Sequence, residues 1–200
     1  MSDENLKQLK SVIQFIVEIE KLKNVHRKTR PVDLERYENS AEHSWHVCIS
    51  ALMLQNYSDL RIDINRVIKM LLIHDLGEID AGDTIIYESE TLENKLAERD
   101  GVKRLLGYLG EEQAASYLDL WDEFEEGKTP DAVYAKAIDR VPPLLHNLHG
   151  NYHSWVENQV SREKVLSINS RIGKASDSLW DFLKQRINNA FDTQSELKDK

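Results

Sequence analysis

INRVIKMLLIHDLGEIDAGDT, residues 64–84, decides the fold class. From Val67 to Ile73 the stretch is apolar almost all round, apart from Lys69. That pattern belongs to a helix buried on every side, and the spacing predicts one helix over 64–78. The apolar run ends in the adjacent pair His74–Asp75, and Glu78, Asp80 and Asp83 follow. An unpaired buried carboxylate is costly, so buried acids pair with a cation or bind a metal. A helix C-terminus carries partial negative charge, which also favours a cation.

Outward from this stretch, helical periodicity continues. Residues 4–24 place Leu6, Leu9, Ile13, Ile16, Val17 and Leu22 mostly three and four apart. A polar loop follows, and Ser40 is placed to cap a helix running to about Tyr57, with His43 in its first turn. DAGDTIIYES, residues 80–89, reads as a connecting loop. Amphipathic helices are expected at about 90–108, 111–126 and 130–148. Pro130 suits a first turn, whereas Pro142 and Pro143 should kink or break the last of these helices and divert the chain ahead of His146, His149 and His153. Residues 162–189 are helical again, and 193–200 should fray. Strand signals are scarce in a chain with eight glycines and four prolines. The expectation is a single all-α domain over residues 1–192, a bundle of six to eight helices.

Composition narrows the function classes. The chain has 200 residues and a net charge of -9, which argues against nonspecific nucleic-acid binding. It leaves room for a local basic patch, and Lys21, Lys23, Arg27, Lys28 and Arg30 form one. The lone Cys48 rules out an internal disulfide and sits in an apolar helical setting as a small core residue. The polar MSDENLKQLK start has no signal-peptide core, and no run is long enough for a membrane span, so a cytoplasmic protein without membrane attachment is expected.

A His-Asp dipeptide alone is a weak signal, and an ordinary satisfied pair is the commoner case. Two further segments change the balance. AEHSWHVCI carries His43 early in the preceding helix, and YAKAIDRV sets Asp139 among small and apolar residues. His43, His74, Asp75 and Asp139 make a mixed nitrogen and oxygen set of four. Such a set suits a borderline divalent transition metal and leaves positions for water and substrate.

These segments resemble the HD-domain metal-dependent phosphohydrolases, in which a helix-borne His precedes a His-Asp pair and a distant Asp. LKNVHRKTR, ENSAEHSWHV, MLLIHDLGEIDAGDT and KAIDRVPPLL resemble more closely a bacterial subgroup related to the 5′-deoxynucleotidases, and the likeness runs over nearly the whole chain. The resemblance implies an all-α fold with His43, His74, Asp75 and Asp139 as ligands of one divalent ion, Mn2+ or Co2+ by preference. Mg2+, Zn2+, Fe2+ and Ni2+ are alternatives.

It further implies catalytic roles for Glu78 and Asp83, which otherwise read as a solvated acidic helix end. It also implies a substrate-phosphate role for Arg27. Asp80 and His46 receive no role. Residues 76–138 contain no histidine, which favours a mononuclear site over the dinuclear HD enzymes. Ile79 stands where guanosine-tetraphosphate hydrolases carry a second acid.

The implied activity is release of phosphate from (deoxy)nucleoside 5′-monophosphates by metal-activated water. The implied partners are a small phosphorylated substrate and a second copy of the chain in a homodimer. The alternatives are hydrolysis of another small phosphoester, guanosine-tetraphosphate-type nucleotides included, or a metal- or nucleotide-binding regulator without turnover.

Overall fold

Asn39 starts the helix that carries His43. Its side chain accepts from the Glu42 amide while the Glu42 carboxylate accepts from the Asn39 amide, a reciprocal capping box. The cap therefore falls one residue before Ser40, which the sequence had suggested. In a computed structural model the chain is described over residues 2–84 and 91–198, with side chains through 193. Among these residues there is no strand, only an isolated antiparallel bridge between His26 and Asn39.

The α-helices are α1 (Asp3–Ile19), α2 (Ser40–Leu54), α3 (Ile64–Ile73), α4 (Glu78–Ala81), α5 (Leu92–Leu106) and α6 (Glu111–Glu126). They continue as α7 (Pro130–Ile138), α8 (Val141–His149), α9 (His153–Glu157), α10 (Arg162–Asn169) and α11 (Asp177–Lys198). The fold is all-α, as expected, but divided more finely than six to eight helices. Of these eleven segments, nine are eight residues or longer. The divisions fall at 74–77, 139–140 and 170–176; single helices were expected across the first and third, and a proline kink or break near the second.

The first two divisions shape the site. Helix α3 stops at Ile73, and residues 74–77 turn before α4 begins. Helix α7 stops at Ile138, and Pro142 and Pro143 occupy the first turn of α8. A first turn has no use for the missing amide protons, so the prolines start a helix there. The prolines thus do not divert the chain away from the late histidines: His146 and His149 ride on α8 itself. Of the loop expected over 80–89, residues 80 and 81 belong to α4 and 82–84 are irregular. Residues 85–89 lie outside the described residues.

Helix α3 is central. Val67, Met70 and Leu71 are inaccessible and pack in one core with Val47 and Ala51 of α2 and Tyr134, Ala135 and Ile138 of α7. Cys48 is buried there too. Burying such side chains stabilises by about 1.5–3 kcal/mol each. By contrast, α1 touches the core only through partly buried side chains such as Phe15 and Ile19, and Leu6, Leu9, Ile13, Ile16 and Val17 remain exposed. No helix among the described residues is long and apolar enough to cross a membrane.

Candidate metal centre

Helix α2 contributes His43, which is fully inaccessible. Its Nε2 lies 3.0 Å from Asp139 Oδ1 at the end of α7. His74 closes α3, with Nε2 3.5 Å from the same Asp139 oxygen and 3.0 Å from Asp75 Oδ1. The ring of His74 is fixed from behind, because Nδ1 donates to the Leu71 carbonyl at 2.8 Å. That bond selects the tautomer whose Nε2 lone pair faces the acids. His74 Nε2 is buried without a hydrogen-bond partner.

The donor set fits a divalent cation. Donor atoms of His43, His74 and Asp139 lie within 4.8 Å of one another. Asp75 adjoins this group through His74, while its other oxygen accepts from Arg27 Nη1 at 2.9 Å. The indole of Trp121 donates to the His74 carbonyl at 3.0 Å and holds the turn against α6.

The catalytic candidates stand beside it. Glu78, at the start of α4, accepts from Ser40 Oγ at 2.6 Å. Arg27 lies in the loop before α2 and is buried. Its amide donates to the Glu38 carbonyl at 2.8 Å, which pins the loop beside the bridge of His26 and Asn39. Arg27 Nη1 lies 3.7 Å from Glu78 Oε1 and 3.6 Å from Asp83 Oδ1. The fold thus brings together all seven residues singled out in the sequence. Asp80 stands apart, in a bidentate pair with Arg104 at 2.7 and 2.9 Å that ties α4 to α5.

Electrostatics separates these acids. Burial pushes Asp139 upward, but the His43 hydrogen bond, the neighbouring His74 imidazole and the Arg140 charge outweigh it and hold the carboxyl well below its usual range. For Glu78, burial and the Asp75 charge raise the carboxyl well above its ordinary range, against the pull of Arg27. Burial raises Asp83 as well, opposed by Arg27 and reinforced by Asp75. Burial works against the charged form of Arg27, yet Asp75, Asp83 and Glu78 more than compensate and raise it. Around His43, burial and Arg27 pull downward, while Asp139, Glu38 and Asp75 prevail and raise the imidazole.

The sequence did not single out Glu38. It is 2% exposed, and its Oε2 lies 3.3 Å from His43 Nδ1, 3.7 Å from Arg27 Nε and 3.9 Å from His146 Nδ1. Burial pushes Glu38 up, but the neighbouring His43, His146 and Arg27 bring it below the usual carboxylate range. Glu38, His46 and His146 form a second close group of donor atoms behind the first. The local signal for Glu38 was weak: it lies in a polar loop whose partners are set by the non-local pairing with residues 25–29.

The centre opens into a cleft of about 720 Å³. Arg27, Asp75, Glu78, Asp83 and Asp139 face it, and Lys136, Arg140, Arg171 and Lys174 also line it.

The family model described as HD domain matches residues 19–180. The chain belongs to the HD-domain family. A crystal structure of a predicted metal-dependent phosphohydrolase from Magnetospirillum magnetotacticum superposes with a TM-score of 0.87 at 42% identity, covering 92% of this chain and 96% of that one. The protein is accordingly an HD-domain metal-dependent phosphohydrolase. Among more distant relatives, the 5′-deoxynucleotidase HDDC2 of Xenopus laevis is 26% identical over 70% of this chain and 69% of its own. The human protein of that name is 25% identical over 68% and 66%.

Proposed function

We propose that this HD-domain protein is a phosphomonoesterase that releases phosphate from (deoxy)nucleoside 5′-monophosphates. One observation carries the proposal: the His43–His74–Asp139 donor group, adjoined by Asp75, shares its cleft with Glu78, Asp83 and Arg27. The names of the frog and human relatives support this substrate class. The cleft volume also falls within the usual range for small-molecule sites.

His43, His74, Asp75 and Asp139 would hold one divalent ion, Mn2+ or Co2+ by preference. When bound, that ion supplies Lewis acidity and lowers the pKa of water. Asp139 and Glu78 would orient the attacking water, and Glu78, once the charge of a bound cation had released its own proton, would take the proton of that water. Asp83 supplies or steers the proton needed by the departing sugar oxygen. Arg27 neutralises charge on the phosphate while keeping Asp75, Glu78 and Asp83 close together.

The assay is phosphate release by cation-loaded protein across a panel of nucleoside and deoxynucleoside monophosphates. Release from at least one of them is expected, and silence across the panel would overturn the nucleotidase assignment. A homodimer is proposed too, supported by the exposed apolar residues of α1. Light scattering on the eluting protein should give twice the chain mass, and a single-chain mass would overturn it.

A further inference from the structure

We propose that Arg140 is a phosphoryl-binding residue, donating to the non-bridging oxygens of a phosphate that enters the cleft beside Asp139. The inference rests on the phosphoester assignment above and adds a second phosphate contact to the one that the family resemblance implies for Arg27.

Arg27 is heavily committed. Its Nη1 donates to Asp75 and lies within 3.7 Å of Glu78 and Asp83, and its Nε lies 3.7 Å from Glu38. Four carboxylates already surround that guanidinium. Its first task is to let those acids share a small volume.

Arg140 has the complementary problem. It follows Asp139 directly, at the break between α7 and α8, and its side chain lines the cleft. Its Nε is buried and makes no hydrogen bond. The carboxylate oxygen Asp139 Oδ2, at 3.8 Å, is beyond hydrogen-bond reach. A buried guanidinium donor left without an acceptor is costly, and an arginine fork matches two oxygens of a phosphate. An anion entering the cleft beside Asp139 would supply that acceptor.

The surroundings favour an anion at this wall. Lys136 lies one helical turn earlier, held by the Glu125 carboxylate at 3.0 Å, with its ammonium 4.5 Å from the centre of the Phe124 ring. Arg171 and Lys174 line the same cleft. Four basic side chains thus gather here, in a chain whose net charge is -9. The cation-binding residues and Arg140 would take different oxygens of one phosphoryl group.

The test is calorimetric titration of inorganic phosphate into the cation-loaded full chain, its Arg140→Gln variant and its Arg140→Lys variant, with elemental analysis of each. Arg140→Gln should weaken phosphate binding about tenfold or more, as expected for a lost charge-assisted pair. Its cation content should match the unsubstituted protein, and Arg140→Lys should recover part of the affinity. Unchanged affinity in Arg140→Gln would overturn the assignment. So would cation loss in both variants, which would place Arg140 in support of Asp139, or an unsubstituted protein that binds no phosphate. Because phosphate binding needs no turnover, Arg140-dependent binding alongside a silent nucleotide panel would remove the nucleotidase assignment alone.

Discussion

Glu78 and Asp139 are both buried acids, yet their neighbours move them in opposite directions. Asp139 meets two imidazoles and is held as a carboxylate, whereas Glu78 meets Asp75 and Asp83 and tends to keep its proton. Acids pushed apart in this way commonly divide the roles of ligand and proton carrier. Asp139→Asn should therefore abolish cation retention and phosphate release together. Glu78→Gln should keep the cation and lose about 10²–10⁴-fold in kcat. Elemental analysis beside the phosphate assay separates the two outcomes, and cation loss in Glu78→Gln would move Glu78 into the ligand set. Glu38 acts at one remove, through His43 Nδ1. Glu38→Gln should weaken cation affinity about 10–100-fold, the usual effect of removing a carboxylate behind a ligating imidazole. A competition titration against a chromophoric chelator would measure it, and unchanged affinity would leave Glu38 as a counter-ion to Arg27 only. His43, His74, Asp75 and Asp139 were legible because polar residues interrupt apolar helical runs. Glu38 was not, because nothing local marks it as the partner of His43.

The elements explain why the candidate ligands converge. His74 and Asp75 leave α3 at its last turn, and the chain turns through 74–77 instead of continuing to 78 as the apolar pattern implied. That turn depends on Gly77. A Cβ there would lie 2.5 Å from the Glu98 carbonyl oxygen on α5, a backbone atom that cannot swing away. A Cβ added at Gly101 would meet the same approach from the other side, 3.0 Å from the Gly77 carbonyl oxygen. Gly77→Ala should therefore force the two segments apart and destabilise the fold by about 1–3 kcal/mol. It should also weaken cation binding, since Asp75 and Glu78 flank it. Urea unfolding and the chelator titration read the two effects, and a variant with unchanged values in both would show that the approach relaxes freely. Periodicity located α2, α5 and α6 to within a few residues, because each presents a regular apolar stripe. It missed the break at 74–77, where Gly77 packs against the α5 backbone, and anticipated the one at 139–140 only through the prolines. The prolines 142 and 143 pointed to the second break but suggested the wrong direction, since a proline can begin a helix as readily as end one.

Across the whole molecule, the centre concentrates negative charge in the core. Glu38, Asp75, Glu78, Asp83 and Asp139 surround one buried arginine and two histidines, and Arg27 touches four of the five acids within 3.7 Å. Acids held this close repel one another, and their desolvation is only partly offset by Arg27. A divalent cation between His43, His74 and Asp139 would relieve both costs in the folded chain, while the unfolded chain cannot assemble the site. The candidate ligands come from α2, the end of α3 and the end of α7, so the ion would link the three helices that share the central core. Cation binding should therefore stabilise the entire fold. At free cation one hundred times Kd the gain is about 2.7 kcal/mol, or about 5–10 °C in Tm for a chain of this size. Calorimetric melts with Mn2+ or Co2+ and with excess EDTA would measure it. The shift should disappear in Asp139→Asn and survive in Glu78→Gln. Equal shifts in all three proteins would mean that the ion acts elsewhere on the surface, and the central site would lose its energetic role.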